Sequence, residues 1–176
     1  MDAALYFCNQ ILPQLKRAMG KVQVWIIGAN PTPEVLALAG EDVHVTGRVE
    51  DVVPFYRRCA VAVVPLRAGG GTRLKILEAM ALGRPVVSTT IGCEGLEVID
   101  AEHLLIADSP QQFAEKITLL LTDKNLFNRI VNNARRLVSD KYDWEMIARQ
   151  LLDIYDKALP VNYLKKMYPY EPNLKE

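Results

Sequence analysis

The sequence lacks the features that mark several protein classes. Its 176 residues include three cysteines, Cys8, Cys59 and Cys93, and no Cys-x-x-Cys pair, so neither a disulfide framework nor a zinc ribbon is expected. No apolar run approaches the roughly 20 residues of a membrane-spanning helix, and no basic segment leads into an apolar core as in a signal peptide. The 21 basic residues balance the 21 acidic ones, so no net field attracts nucleic acid. We expect a cytoplasmic protein that binds no metal ion, no cofactor and no nucleic acid.

What is present is typical of a folded α/β protein. Hydrophobic residues make up 50% of the chain, enough for a sizeable core. Short β-branched runs alternate with helix-like segments, which predicts a doubly wound parallel sheet, Rossmann-like, with helices on both faces. The predicted strands are Val22–Ile27, Val43–Thr46, Ala60–Val64, Val86–Thr89 and a weaker one at His103–Ala107.

The two ends of the chain depart from this pattern. Asp2–Met19 is predicted to be a helix with a wide apolar face, and no strand precedes it. Because a βαβ unit begins with a strand, we expect a sheet that lacks its first strand, as in a piece of a longer polypeptide. We predict one domain over residues 1–159, and a C-terminal tail or strap over residues 160–176, which contain three prolines.

The stretch Pro65–Gly83, PLRAGGGTRLKILEAMALG, predicts a strand end, a glycine loop and a helix that begins near Thr72. Glycines let a ligand approach the backbone, and a helix N-terminus attracts anions through its unpaired N–H groups. Nearby cations strengthen the attraction, so the segment favours a diphosphate ligand. The candidate residues are Gly69, Gly70, Gly71, Thr72, Arg73 and Lys75, with Arg67 just before them.

Glu78 follows on the same predicted helix and has two possible roles. Its carboxylate oxygens could accept both hydroxyls of a ribose, or Glu78 could be an exposed helical residue paired with a neighbouring Lys or Arg. Spacing alone does not decide between them. Other phosphate motifs are missing, since the chain has no G-x-x-x-x-G-K-[ST] and no G-x-G-x-x-G. His44 and His103 are expected to be structural.

The segment Gly69–Leu96, GGGTRLKILEAMALGRPVVSTTIGCEGL, resembles the donor-binding half of family-four, retaining, GT-B fold glycosyltransferases (glycosyl transferases group 1). The similarity extends upstream through Val24–Leu66 and downstream through HLLIADSPQQFAEKI and YDWEMIARQLLDIY. It therefore covers about residues 2 to 158. The resemblance implies that this chain is the second of two Rossmann-like halves that face each other across a cleft.

The family's E-x7-E motif gives the resemblance its site residues. The second Glu of the motif binds the donor ribose and matches Glu78, whereas the first falls at Gly70. The backbone amides of Gly69 to Arg73 would then contact the diphosphate or the hexose in place of that carboxylate. Arg48, in a turn after a predicted strand, matches the place where the family approaches the nucleotide base, although a solvated arginine fits the sequence equally well.

The resemblance also implies a function and partners. The donor would be a UDP- or GDP-sugar, from which a hexose passes to a glycan or lipid-linked acceptor, in cell-surface polysaccharide synthesis. The N-terminal acceptor-binding domain would be a partner of this chain, and the isolated chain would lack turnover. Any peripheral membrane association, at the inner face of the membrane, would come through the full-length protein. The alternatives are a non-catalytic Rossmann-like interaction module and a GT-B sugar-nucleotide epimerase.

Overall fold

The computed structural model describes residues 1–158. The predicted tail at 160–176 lies outside the described residues, and the predicted boundary at residue 159 stays a prediction. Packing of the backbone divides the chain into two compact units, Met1–Val138 and Ser139–Glu176. The first unit contains all of the strands in the described part of the chain, and the candidate site with them.

Each predicted apolar run contains a strand, usually shorter than predicted at its ends. The strands are β1 (Val24–Ile27), β2 (Val43–Gly47), β3 (Ala62–Val64), β4 (Val86–Ser88) and β5 (Leu105–Ile106). β1 pairs with β2, β3 with β4, and β4 with β5, in every case parallel. The predicted α/β class with parallel pairing is confirmed.

The strands form two sheets, a two-stranded sheet β1-β2 and a three-stranded sheet β3-β4-β5. A doubly wound Rossmann sheet has the strand order 3-2-1-4-5-6. If β1 and β2 correspond to its second and third strands, β3 to β5 correspond to its fourth to sixth. In that numbering, the two sheets lie on either side of the position of the first Rossmann strand.

Helices occupy the segments between the strands. The first is the predicted Asp2–Met19 helix, which consists of α1 (Asp2–Tyr6), a π-helical turn (Phe7–Ile11) and α2 (Leu12–Met19). Pro13 in the first turn of α2 explains the widened turn, because proline lacks the N–H that a regular helix would use at this point. The later helices are α3 (Pro33–Leu36), α4 (Val53–Arg58), α5 (Leu74–Ala81), α6 (Pro110–Thr122), α7 (Lys124–Lys141) and α8 (Trp144–Ala158).

The buried side chains form two clusters on opposite faces of the strands. In β4, Val87 belongs to a cluster with Ile11 and Phe113, whereas its neighbour Val86 belongs to a cluster with Met80. Successive side chains of a strand point to opposite faces, so one strand supplies both clusters. Helices therefore cover both faces, as a parallel sheet requires.

The three successive leucines of α6 give a matched test of this packing. Leu120 is 1% exposed and Leu121 is 40% exposed. We expect Leu120→Ala to lower the free energy of unfolding by about 2 to 5 kcal/mol, since it leaves a cavity in the core. We expect Leu121→Ala to change it by no more than about 0.5 kcal/mol. Urea unfolding followed by circular dichroism measures both, and equal losses would contradict the assigned core face of α6.

Candidate functional site

The glycine loop lies between β3 and α5, at the carboxyl end of β3. Gly69 and Gly71 have φ angles of 129° and 109°, which residues with a Cβ rarely adopt. The helix begins at Leu74, two residues later than predicted, because Arg73 is the N-cap residue and has the left-handed conformation, with φ 54° and ψ 27°. A non-glycine residue in this region needs support from its surroundings.

Arg73 obtains that support through its own side chain, which is 5% exposed. Its Nη2 group donates hydrogen bonds to the carbonyl oxygens of Gly69, at 3.0 Å, and of Ile91, at 2.8 Å. Glu94 lies 3.7 Å from the same group. The guanidinium thus ties the glycine loop to the turn after β4, and this placement favours a role in holding the loop over direct contact with a phosphate.

The turn after β4 contains supporting residues that the sequence analysis did not single out. The Thr89 hydroxyl donates to the carbonyl of Leu66 and accepts from the Gly92 N–H at 2.8 Å. A Cβ at Gly92 would overlap the Ser88 hydroxyl and lie 2.7 Å from the carbonyl oxygen of Val64, so only glycine fits. In the sequence, these residues are marked only by the segment STTIGC, which belongs to the stretch that resembles the glycosyltransferases.

Glu78 is exposed on α5, in the turn that follows the start of the helix. Within residues 1–158 no Lys or Arg forms an ion pair with Glu78, unlike the exposed helical pairing that the sequence left open. Its Oε2 accepts a hydrogen bond from the Tyr56 hydroxyl of α4 at 3.5 Å. The carboxylate is therefore open to solvent and available to a ligand.

The predicted cations differ in their surroundings. Lys75 is exposed on α5 and is close to Glu78 along the helix. Arg67 is paired with Asp2, an interaction that lowers the pKa of that carboxyl, and its guanidinium lies 4.5 Å from the ring centre of Tyr6. Arg48 is exposed after β2, and in the described part of the chain no hydrogen bond or ion pair joins it to the glycine loop.

Most of the predicted site residues thus lie in the loop before α5 and in the first two turns of that helix. These are Gly69, Gly70, Gly71, Thr72, Arg73, Lys75 and Glu78, with Arg48 standing apart.

The described residues also bear on the predictions about metal ligands, histidines, cysteines and membrane spans. Residues 1–158 contain no group of three or more His, Cys, Asp or Glu side chains that could hold a metal ion. His44 stacks on Trp25, with ring centres 4.3 Å apart. Burial raises the pKa of each cysteine thiol, Cys8, Cys59 and Cys93. In the same part of the chain, no helix combines the length and apolarity needed to cross a bilayer.

The arrangement suits a ligand that carries both negative charge and hydroxyl groups. The exposed loop and the first N–H groups of α5 can bind an anion, because those groups are free to donate hydrogen bonds. Glu78 lies four residues beyond Leu74, about 6 Å along the helix axis at 1.5 Å per residue. Its oxygens are acceptors only, so they favour a hydroxyl donor. A nucleoside diphosphate carries both kinds of group.

Solved structures show the same fold. HepE of Anabaena, in complex with UDP and glucose, matches with a TM-score of 0.74 and 19% identity, over 86% of this chain and 44% of that chain. The C-terminal domain of a glycosyl transferase group 1 family protein from Francisella tularensis (LpcC) matches with a TM-score of 0.58 and 22% identity, over 77% of this chain and 94% of that one. The fold is thus that of GT-B glycosyltransferase structures.

Curated proteins match over part of their length. An uncharacterised glycosyltransferase of Methanocaldococcus jannaschii is 31% identical over 110 residues, which are 61% of this chain and 31% of the relative. The capsular polysaccharide biosynthesis glycosyltransferase CapM of Staphylococcus aureus is 31% identical over 113 residues, 63% of this chain and 30% of CapM. The chain spans about a third of the length of these relatives.

The family model described as "Glycosyl transferases group 1" matches residues 1–123. This range includes the strands, the glycine loop and Glu78. Since it covers well over half of the 176 residues, the chain belongs to the glycosyl transferases group 1 family.

Proposed function

We propose that this chain is the donor-binding, C-terminal half of a family-four, retaining glycosyltransferase, with a UDP- or GDP-sugar as donor. The parent enzyme transfers a hexose to a glycan or lipid-linked acceptor, in cell-surface polysaccharide synthesis, at the inner face of the membrane. Its other half is an N-terminal acceptor-binding domain.

One observation carries the proposal: the exposed glycine loop leads directly into α5, the helix that carries the Glu78 carboxylate, and no cation pairs with Glu78 in the described residues. We assign the diphosphate to the backbone amides at the start of α5, with Lys75 beside it. We assign the ribose hydroxyls to Glu78, and leave Arg48 as a contact for the base. Arg73 holds the loop through its hydrogen bonds to the carbonyl oxygens of Gly69 and Ile91.

The matched proteins support a nucleotide-sugar as the donor and the assignment of this chain to the C-terminal half of the enzyme. HepE was crystallised with UDP and with UDP-glucose, and TarM of S. aureus in complex with UDP. CapM is named for capsular polysaccharide biosynthesis. The LpcC domain, of which this chain covers 94%, is a C-terminal domain. UDP is therefore the first nucleotide to test.

A nucleotide titration tests donor binding directly. In amide NMR spectra of the 176-residue chain, we expect UDP or GDP, but not ADP, to shift signals from Gly69 to Glu78. We expect a Kd between tens of micromolar and millimolar, or about −4 to −6 kcal/mol, because half a cleft supplies only part of the contacts. Spectra unchanged by all three nucleotides at millimolar concentration would contradict the proposal and favour the non-catalytic interaction module.

Glu78→Ala tests the assignment of the ribose. Charge-assisted hydrogen bonds contribute about 1.5 to 3 kcal/mol, so we expect the variant to bind UDP at least about tenfold more weakly. Glu115→Ala is the matched control, because Glu115 is an exposed glutamate on α6. The same titration measures both variants, and unchanged affinity in Glu78→Ala would remove Glu78 from the site.

The chain by itself is expected to lack turnover. Glycosyl transfer depends on positioning donor and acceptor and on closure around the departing diphosphate, and this chain spans about a third of its curated relatives. We expect no UDP release above background from UDP-glucose and an acceptor extract. A rate comparable to that of a complete glycosyltransferase would overturn this expectation, whereas epimerised UDP-sugar would favour the epimerase.

A further inference from the structure

Tyr56 links the two helices that flank the second buried cluster. It lies on α4, and its side chain is partly buried against that cluster, which includes Ile76 and Met80 of α5. Its hydroxyl donates to the carbonyl oxygen of Lys75 at 3.1 Å and lies 3.5 Å from Oε2 of Glu78. One phenolic proton thus faces two acceptors on α5, and the second acceptor is the carboxylate assigned above to the ribose.

The surroundings of Glu78 make this contact significant. An exposed glutamate on a helix samples several rotamers, and ordering it at a ligand lowers affinity. In the described part of the chain no cation holds Glu78. Packing places the Tyr56 ring, and its hydroxyl is a hydrogen-bond donor within reach of Oε2, with its one proton shared between this oxygen and the Lys75 carbonyl.

The protonation state of Tyr56 is compatible with this role. Burial, and then the negative charge of Glu78, raise the pKa of Tyr56 to about 12. The hydroxyl therefore keeps its proton at neutral pH and can donate it to the Lys75 carbonyl or to Glu78.

We propose that Tyr56 is a positioning residue for ribose recognition. Its hydroxyl holds Oε2 of Glu78, so that the carboxylate meets the 2′- and 3′-hydroxyls of a nucleoside diphosphate in one preferred orientation. The inference rests on the proposed function and adds a consequence to it: the Tyr56 and Glu78 pair lets the site prefer a ribonucleotide over a deoxyribonucleotide.

The test compares UDP with 2′-deoxy-UDP, because a purely structural role of Tyr56 would affect both nucleotides equally. Amide NMR titrations give both Kd values for the wild type, Tyr56→Phe and Glu78→Ala. The matched control is Tyr155→Phe, which removes the same atom from a tyrosine on α8. Thermal unfolding of each variant reports separately on the link between α4 and α5.

We expect the wild type to bind UDP about tenfold more tightly than 2′-deoxy-UDP, since the lost hydroxyl leaves a charged acceptor without its donor. In Tyr56→Phe this preference should fall to about threefold or less, with the Kd for 2′-deoxy-UDP within about twofold of the wild type. Adding Tyr56→Phe to Glu78→Ala should have no further effect on the preference, because the tyrosine acts through the carboxylate.

Other outcomes separate the two proposals. If Tyr56→Phe weakens both nucleotides by the same factor, or keeps the wild-type preference, the inference is wrong and the donor site stands. A wild type that binds neither nucleotide overturns the proposed function, and the inference with it. Should Tyr56→Phe fail to fold, Tyr56→4-aminophenylalanine keeps a donor at the place of the hydroxyl. A wild-type preference in that variant supports positioning by a donor, and its loss overturns it.

Discussion

The hydrogen bonds of the buried Arg73 guanidinium are the constraint on which the candidate site depends. They reach the carbonyl of Gly69 on one side and that of Ile91 on the other, so one side chain joins the loop after β3 to the turn after β4. They also hold Arg73 in the left-handed conformation that delays the start of α5. The first free N–H groups of the helix consequently follow a loop that Arg73 ties to the neighbouring turn.

The surrounding fold supplies rigid supports for this loop. β4 packs side chains into both buried clusters, through Val86 and Val87, and the turn that follows it is locked by Thr89 and by the close contact at Gly92. The backbone amides proposed to bind the diphosphate therefore follow a turn held by these contacts, while the glycine loop itself is exposed. A held turn beside an exposed loop suits a glycosyltransferase, in which binding energy must position the donor.

Much of the fold followed from sequence, whereas parts of the site did not. Alternating apolar runs and glycine or proline boundaries predicted every strand of the described part, because these are local patterns. The same local patterns predicted that α5 begins near Thr72, because no local sequence pattern shows that the Arg73 side chain points inward. The contact of Tyr56 with Glu78 was not predicted for a similar reason. These residues are 22 positions apart along the chain, and only packing of α4 against α5 brings them together.

The sequence by itself determined the α/β class, the glycine loop and the presence of a carboxylate on the following helix, because residue type and spacing set these features. The tertiary structure decided which charges remain available. It buried Arg73, paired Arg67 with Asp2, and left Glu78 exposed beside a tyrosine hydroxyl. The physical reason is that burial and partnership of a charge depend on contacts between segments distant in sequence, and these contacts decide whether it holds the fold or meets a ligand.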